Sequence, residues 1–313
     1  MTELVAFGET SLRLVPRDSE RFETTADVQL QVSGTESNVA VAASAMGAEA
    51  VWLSKLPDSP LGRRVERALH QHGVDTEIAW AETGRQGLLF TEHGPEPRAH
   101  RRVQDRGRTA AATVSPGELP MDRVQAADAT FVAGSTLALS GGIVETAEAV
   151  MRAAGSGLVA MDLDYSPGLW TSEEARETLE GVFDAVDVLL ANEDEAQTVF
   201  DRSGEPRQLA HALASEHDFQ TVVITRSERG ALAWHDSVIH ERDGVESRAV
   251  DAAGQHEAFA GAFLERLLSG ADAGEALSYG VASAALSRTV PGAMTTVTPE
   301  EVAALADDLG PGR

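Results

Sequence analysis

The chain has 313 residues, 42% of them hydrophobic, which is enough to bury a full core and excludes global disorder. Its 50 acidic residues against 25 basic ones leave a formal charge of −25, which repels nucleic acid and anionic membranes and makes both poor partners. Cysteine is absent, which rules out disulfides, thiolate nucleophiles and thiolate zinc sites.

The N-terminal residues run straight into an apolar strand, Leu4–Phe7, with no signal region, and no stretch approaches the roughly 18 apolar residues of a membrane span; a cytoplasmic protein is expected. Ser11–Val15 with Asp27–Val32 reads as a hairpin, followed by a helix over Glu36–Met46, a strand over Ala50–Ser54 and a helix over Leu61–Gln71. A second hairpin joins Gly87–Glu92 to Arg98–Arg102 through the turn Gly94-Pro95-Glu96-Pro97. The rhythm then settles. Strands are expected at Ala129–Ala133, Leu158–Leu163, Val186–Leu190 and Thr221–Thr225, with helices at Gly142–Ala154 and Glu173–Phe183. Three successive helices, Gly254–Ser269, Ala273–Ser287 and Pro299–Leu309, close the chain. This order predicts an α/β fold with a mostly parallel central sheet of about eight strands and helices on both faces. One domain over 1–309 carries a small β-sheet lid inserted within 11–32 and 87–103, and residues 310–313 form a disordered tail.

Four stretches at predicted strand ends carry possible chemistry. Ser33-Gly34-Thr35-Glu36-Ser37-Asn38 closes a strand and opens a helix of small residues; its polar groups either face a cleft or simply cap the helix. Asn192 and Glu195, after the strand Val186–Leu190, lie three apart on one helical face. They either hold a water shell around Mg²⁺ or form an acidic, capped first turn. Thr225-Arg226-Ser227-Glu228-Arg229-Gly230 ends another strand. Last, Asp251-Ala252-Ala253-Gly254-Gln255-His256-Glu257 runs into a helix, where a phosphate would meet free N–H groups and a carboxylate could take a proton from a hydroxyl. No HExxH-type pair exists, which leaves a metallohydrolase without support.

Together these stretches resemble the ribokinase-like (PfkB) sugar-kinase family along essentially the whole chain. Trp52–Gly62, Asp105-Arg106, Asp162-Leu163-Asp164-Tyr165 and Leu169–Arg176 resemble in particular the 2-keto-3-deoxygluconate kinases of salt-loving organisms. The resemblance implies a three-layer ribokinase-like fold, ATP as donor and Mg²⁺ as cofactor. It implies a sugar acid held by Gly34, Glu36, Asn38, Arg106, Asp164 and Tyr165. Nucleotide contacts fall on Asn192, Glu195, Thr225, Arg226 and Gly230, with Asn192 and Glu195 supporting the metal through water. It also implies pairing of two lids into a homodimer, for which Val28, Leu30 and Val32 offer an apolar face.

The chain departs from that family where chemistry is done. The family's G-A-G-D loop reads Gly254-Gln255-His256-Glu257 here. Glu257 therefore stands for the catalytic aspartate, and two side chains enter an anion hole the family keeps bare. A reacting group misplaced by about 1 Å can cost on the order of 10²-fold, and His256 would be strained if its position needs positive φ. Ser166 replaces the arginine expected after Tyr165, Leu88 or Leu89 and Val103-Gln104 replace lid tyrosines, and Ser227 replaces a turn glycine. Only Arg106 is left to meet a substrate anion. Two readings follow: a sugar kinase with Glu257 as base and Gly254 shaping the anion hole, or a noncatalytic sugar- or nucleotide-binding paralogue, or regulatory partner. The charge, with Lys55 as the single lysine, points to a salt-rich cytoplasm, where the Debye length falls to roughly 3 Å.

Overall fold

In the computed structural model residues 2–94, 97–98 and 100–310 are described; the turn residues Pro95 and Glu96 and the expected tail beyond Gly310 lie outside them. The strands are β1 (Glu3–Phe7), β2 (Ser11–Pro16), β3 (Val28–Ser33), β4 (Glu49–Pro57), β5 (Asp75–Ala81), β6 (Leu88–Glu92) and β7 (Arg101–Asp105). After them come β8 (Ala129–Ala133), β9 (Leu158–Asp162), β10 (Val188–Asn192), β11 (Thr221–Thr225), β12 (Ala231–His235) and β13 (Val238–Arg242). The helices are α1 (Thr35–Ala45), α2 (Pro60–Gln71), α3 (Met121–Ala126), α4 (Gly134–Leu137), α5 (Gly141–Ala153) and α6 (Ser172–Glu180). The rest are α7 (Glu193–Val199), α8 (Pro206–His217), α9 (Gln255–Leu268), α10 (Ala273–Ser287) and α11 (Pro299–Asp308).

Nine strands form the main sheet in the order β13-β12-β11-β10-β9-β8-β1-β4-β5. All pairs from β5 to β11 are parallel, and β12 and β13 add an antiparallel hairpin at one edge. The central strands are buried on both faces, as the apolar runs Phe131–Ala133 in β8 and Val222–Ile224 in β11 require. Alternation sends Val5 and Phe7 of β1 into one core with α5, α6 and α8, and Leu4 and Ala6 into the other with α1, α9 and α10. Because the chain leaves β1 first toward β4 and later resumes at β8 on its other side, the sheet has a switch point between β1 and β8. Ligands of open α/β sheets bind beyond the strand ends at such a point.

The lid is a separate four-stranded sheet, β3-β2-β6-β7, in which β2 and β6 run parallel and the other pairs antiparallel. Its last strand begins at Arg101 rather than Arg98. Buried Arg13 ties the lid to the loop before α9 by donating to Asp251 Oδ2 at 3.0 Å. The apolar row on β3 is largely taken: Val32 is buried, Leu30 packs against the core of α1 and α9, and only Val28 stays exposed. None of the helices, among the described residues, is long and apolar enough to cross a membrane.

Candidate active site

Small residues set the geometry of the site. Val39 to Ala43 of α1 let α9 come close: a Cβ on Gly261 would lie 2.5 Å from Ala42 Cβ and 2.6 Å from the Val39 carbonyl. The helix seam brings Asn38, near the start of α1, within 3.4 Å of Glu257 in the first turn of α9. Gly254 caps that helix at φ 80°, where a Cβ would meet the Ala293 carbonyl at 1.9 Å, so both its conformation and its space demand glycine.

Beneath the lid, a cavity of about 360 Å³ opens at the ends of β1, β8 and β9. Gly34 and Thr35 form part of its wall, with Glu9, Ser135, Glu195 and Glu257, the segment Asp164–Gly168, and Leu89, Arg102, Gln104 and Arg106 from the lid side. Gly34 is extended, but a Cβ there would lie 2.4 Å from the Glu9 carbonyl. Asp164 adopts φ 38°, a left-handed conformation Asp tolerates. Its Oδ2 accepts from the Thr35 hydroxyl at 2.8 Å, and its N–H donates to Asp162 Oδ1 at 3.1 Å. The Tyr165 N–H donates to Glu195 Oε2 at 3.3 Å. Arg106 donates to Glu9, and Gln104 Nε2 donates to the Ser166 hydroxyl at 2.7 Å.

On the other side of α9 lies a second cavity with an apolar wall of Val245, Phe259, Val281, Ala284 and Ala285, bordered by Asn192, Thr225, Ser227, Gly230, Gln255 and His256. Gly230 holds φ 92°, and a Cβ there would be 2.1 Å from the Arg242 carbonyl. Ser227, standing where a glycine was expected, does take the left-handed conformation at φ 53°.

His256 stands between the two sides. Its Nδ1 is 3.1 Å from the Thr225 hydroxyl and its Nε2 is 2.7 Å from Asp162 Oδ2. Burial opposes its charge, but the carboxyls of Asp162, Glu195 and Glu257 together outweigh burial and the imidazole is pushed up to about 10. The expected strain is absent: His256 lies inside α9 with no positive φ, because the left-handed residue is Gly254. Burial raises the Glu257 carboxyl above the usual range, opposed by His256. Glu195 is pushed up to about 8 by burial and by the Asp162 and Asp164 carboxylates.

Several expected site residues sit elsewhere. Glu36 is 1% exposed; its Oε1 accepts from the Ala133 N–H at 3.1 Å and its carboxyl covers Gly8, so it braces β1 and β8 and does not face the cavity. Asn38 is likewise buried and stands behind Glu257. Arg226 turns from the second cavity to Glu241 Oε1 at 2.6 Å, because β13 places that carboxylate beside it. Asn192, by contrast, does border the second cavity while its Oδ1 accepts from the Asp194 N–H at 3.0 Å as the cap of α7. No group of three or more His, Asp or Glu side chains among the described residues is arranged to hold a metal. Asn192 and Glu195 therefore fit Mg²⁺ only as outer partners of a hydrated ion carried by phosphates. Sequence reasoning missed Arg102, whose signal was alternation with Gln104 on β7, and Asp162, a strand-end carboxylate whose partner His256 is remote in sequence.

Comparison with known proteins agrees with this geometry. The model of the pfkB family carbohydrate kinases matches residues 1–301. The chain is 46% identical over 302 residues to the 2-dehydro-3-deoxygalactonokinase of Haloferax volcanii, covering 96% of this chain and 95% of that one. It is 30% identical to the 2-dehydro-3-deoxygluconokinase of Thermoproteus tenax, over 91% of this chain and 88% of that protein. Its structure superposes on the 2-dehydro-3-deoxygluconokinase of Thermotoga maritima with a TM-score of 0.93 at 29% identity, covering 98% of each chain. A putative ribokinase II from E. coli, in complex with ATP and Mg²⁺, shares the fold at a TM-score of 0.87 and 19% identity, over 98% of this chain and 100% of that one. A strand-end crevice under a β lid, divided by the first turn of a capped helix, is thus the site of a sugar phosphotransferase scaffold, and the chain belongs to the pfkB family of carbohydrate kinases.

Proposed function

We propose that the chain is a kinase of 2-keto-3-deoxy sugar acids, with ATP as donor and Mg²⁺ as cofactor, whose phosphoryl transfer is slowed by its own catalytic loop. The observation that carries this reading is the meeting of the two cavities at the N-terminal turn of α9, with the Glu257 carboxyl on the sugar side. The sugar acid lies under the lid against Gly34, Asp164, Tyr165 and Arg106. The nucleotide lies in the apolar slot beside Asn192, Thr225 and Gly230. Glu257 takes the proton of the attacking hydroxyl, and its raised affinity for protons brings it nearer the range a general base needs. When bound, Mg²⁺ would neutralise phosphate charge beside Asn192 and Glu195. The N–H groups at the start of α9, next to Gly254, face the transferred phosphate.

A second reading, a paralogue that binds sugar or nucleotide without transferring phosphate, is favoured by one observation. The His256 ring, bulk that the family's loop lacks, fills the border of the second cavity and is held between Thr225 and Asp162. Initial rates with 2-keto-3-deoxygluconate and 2-keto-3-deoxygalactonate, with ATP and Mg²⁺ in molar KCl, separate the two. We expect turnover well below the ordinary kinase range of about 1–100 s⁻¹. Turnover within that range refutes the slowed loop, and binding of both ligands with no transfer establishes the second reading. Pairing through the lid remains part of the proposal, supported by the unpaired outer edges of β3 and β7 and by exposed Val28. A monomer by light scattering in molar salt excludes it.

A further inference from the structure

Side chains alternate across a strand, so Arg102 and Gln104 of β7, with Arg106 just beyond, share one face, and all three line the cavity under the lid. Two of the three are committed. Arg106 is paired with Glu9, whose side chain is 2% exposed, so much of its charge is already answered. Gln104 spends its amide on the hydroxyl of Ser166. The Arg102 side chain makes no hydrogen bond or ion pair among the described residues, and it also borders a neighbouring cavity of about 230 Å³ that continues past Glu257 to Gly254. The Asp164 carboxyl lines the same space and the Arg106 charge is spent on Glu9, so an anionic sugar entering it needs an uncommitted cation.

We infer that Arg102 is the carboxylate anchor of this site and the residue that sets its preference for sugar acids over neutral sugars. This rests on the proposal that the acceptor is a keto-deoxy sugar acid. Position 166, where the resembling kinases carry an arginine, offers only a hydroxyl tied to Gln104. The planar guanidinium of Arg102, carried on the lid, can form two parallel bonds to a carboxylate. Because the cation sits on the lid and not on the sheet, acid recognition and lid position are linked.

The test is calorimetric titration in molar KCl of the full chain, its Arg102→Ala, Arg102→Gln and Arg102→Lys variants, with 2-keto-3-deoxygluconate, fructose as a neutral ketohexose, and ATP. Arg102→Ala and Arg102→Gln are expected to weaken binding of the acid by about 10- to 100-fold, and to leave the ATP affinity and the thermal midpoint unchanged. Fructose binding should change little, and Arg102→Lys should recover part of the loss. Undiminished acid binding by Arg102→Ala overturns the inference while leaving the proposed function standing, as does full recovery by Arg102→Gln. Failure of the unmodified protein to bind the acid at all overturns the proposed function and the anchor together.

Discussion

The two sides of α9 solve opposite problems with the same helix end. Toward the lid, the site is built from charge: Glu9 against Arg106, Asp164 on Thr35, and the carboxyls of Glu195 and Glu257, which burial raises above the usual range. Toward β11, it is built more from shape, with an apolar wall of Phe259, Val281 and small alanines facing Asn192, Thr225, Ser227 and Arg288. A shaped slot tolerates drift in its rim, as Ser227 in place of a glycine illustrates. The charged side tolerates little, because each buried carboxyl is set by its neighbours. His256 belongs to both, touching Thr225 on one side and Asp162 on the other, so changes in the catalytic loop should be felt across the divide.

The largest effect should come from the loop itself. Restoring Gln255→Ala, His256→Gly and Glu257→Asp together is expected to raise turnover of 2-keto-3-deoxygluconate by on the order of 10²-fold. Glu257→Gln should remove about 10²–10⁴ of whatever transfer exists. Steady-state rates check both, and a triple variant no faster than its parent means the charged side was never the obstacle.

Widening the seam that positions both sides comes next. Gly261→Val places atoms inside contact distance of Val39 and Ala42, and should cost about 1–3 kcal/mol by urea unfolding. A variant of undiminished stability would show that α1 and α9 are not held as closely as described.

A smaller effect isolates the sheet end below the charged side. Burial pushes Glu36 up to about 8. The folded chain keeps a proton there that the unfolded chain releases near its ordinary value, so its contribution to stability falls as pH rises from about 4.5 to 8 and is flat above. Glu36→Gln, which can still accept from Ala133, should lack that slope, so the stability difference between variant and parent should change with pH across this window. Parallel stability curves across this window would contradict the burial.

The smallest concerns the shaped side. Ser227→Gly releases a left-handed serine and should stabilise by up to about 1 kcal/mol, read as a rise in thermal midpoint. Independently of either side, the charge of −25 should make the midpoint lower in dilute buffer than in molar KCl. Equal midpoints would remove the salt argument.

Much of the framework was legible in the sequence because it depends on local periodicity. The strands at Ala129–Ala133 and Thr221–Thr225 and the helix Ala273–Ser287 fall where the pattern puts them, and the lid hairpins are interruptions of that pattern. Asp75–Ala81 and β13 escaped because they are the two edge strands of the sheet and are only partly buried, and β12, though buried at Ala231–Ala233, offers a run of only three apolar residues before Trp234. The family resemblance named Glu257, Gly254, Gly34, Asp164 and Thr225, and a strand end or helix start fixes where each backbone stands. What a resemblance along the sequence could not fix is the direction of a side chain once other elements arrive. Glu36 points to Ala133 because β8 offers an unpaired N–H, and Arg226 points to Glu241 because β13 folds back beside it. Asn38 is hidden by Glu257 because α1 and α9 touch, and His256 escapes backbone strain because Gly254 absorbs the turn. Sequence determined the scaffold and the positions of its ends. Tertiary packing alone decided which charges face the cavity, because a side chain's partner is chosen by proximity in space among groups far apart along the chain.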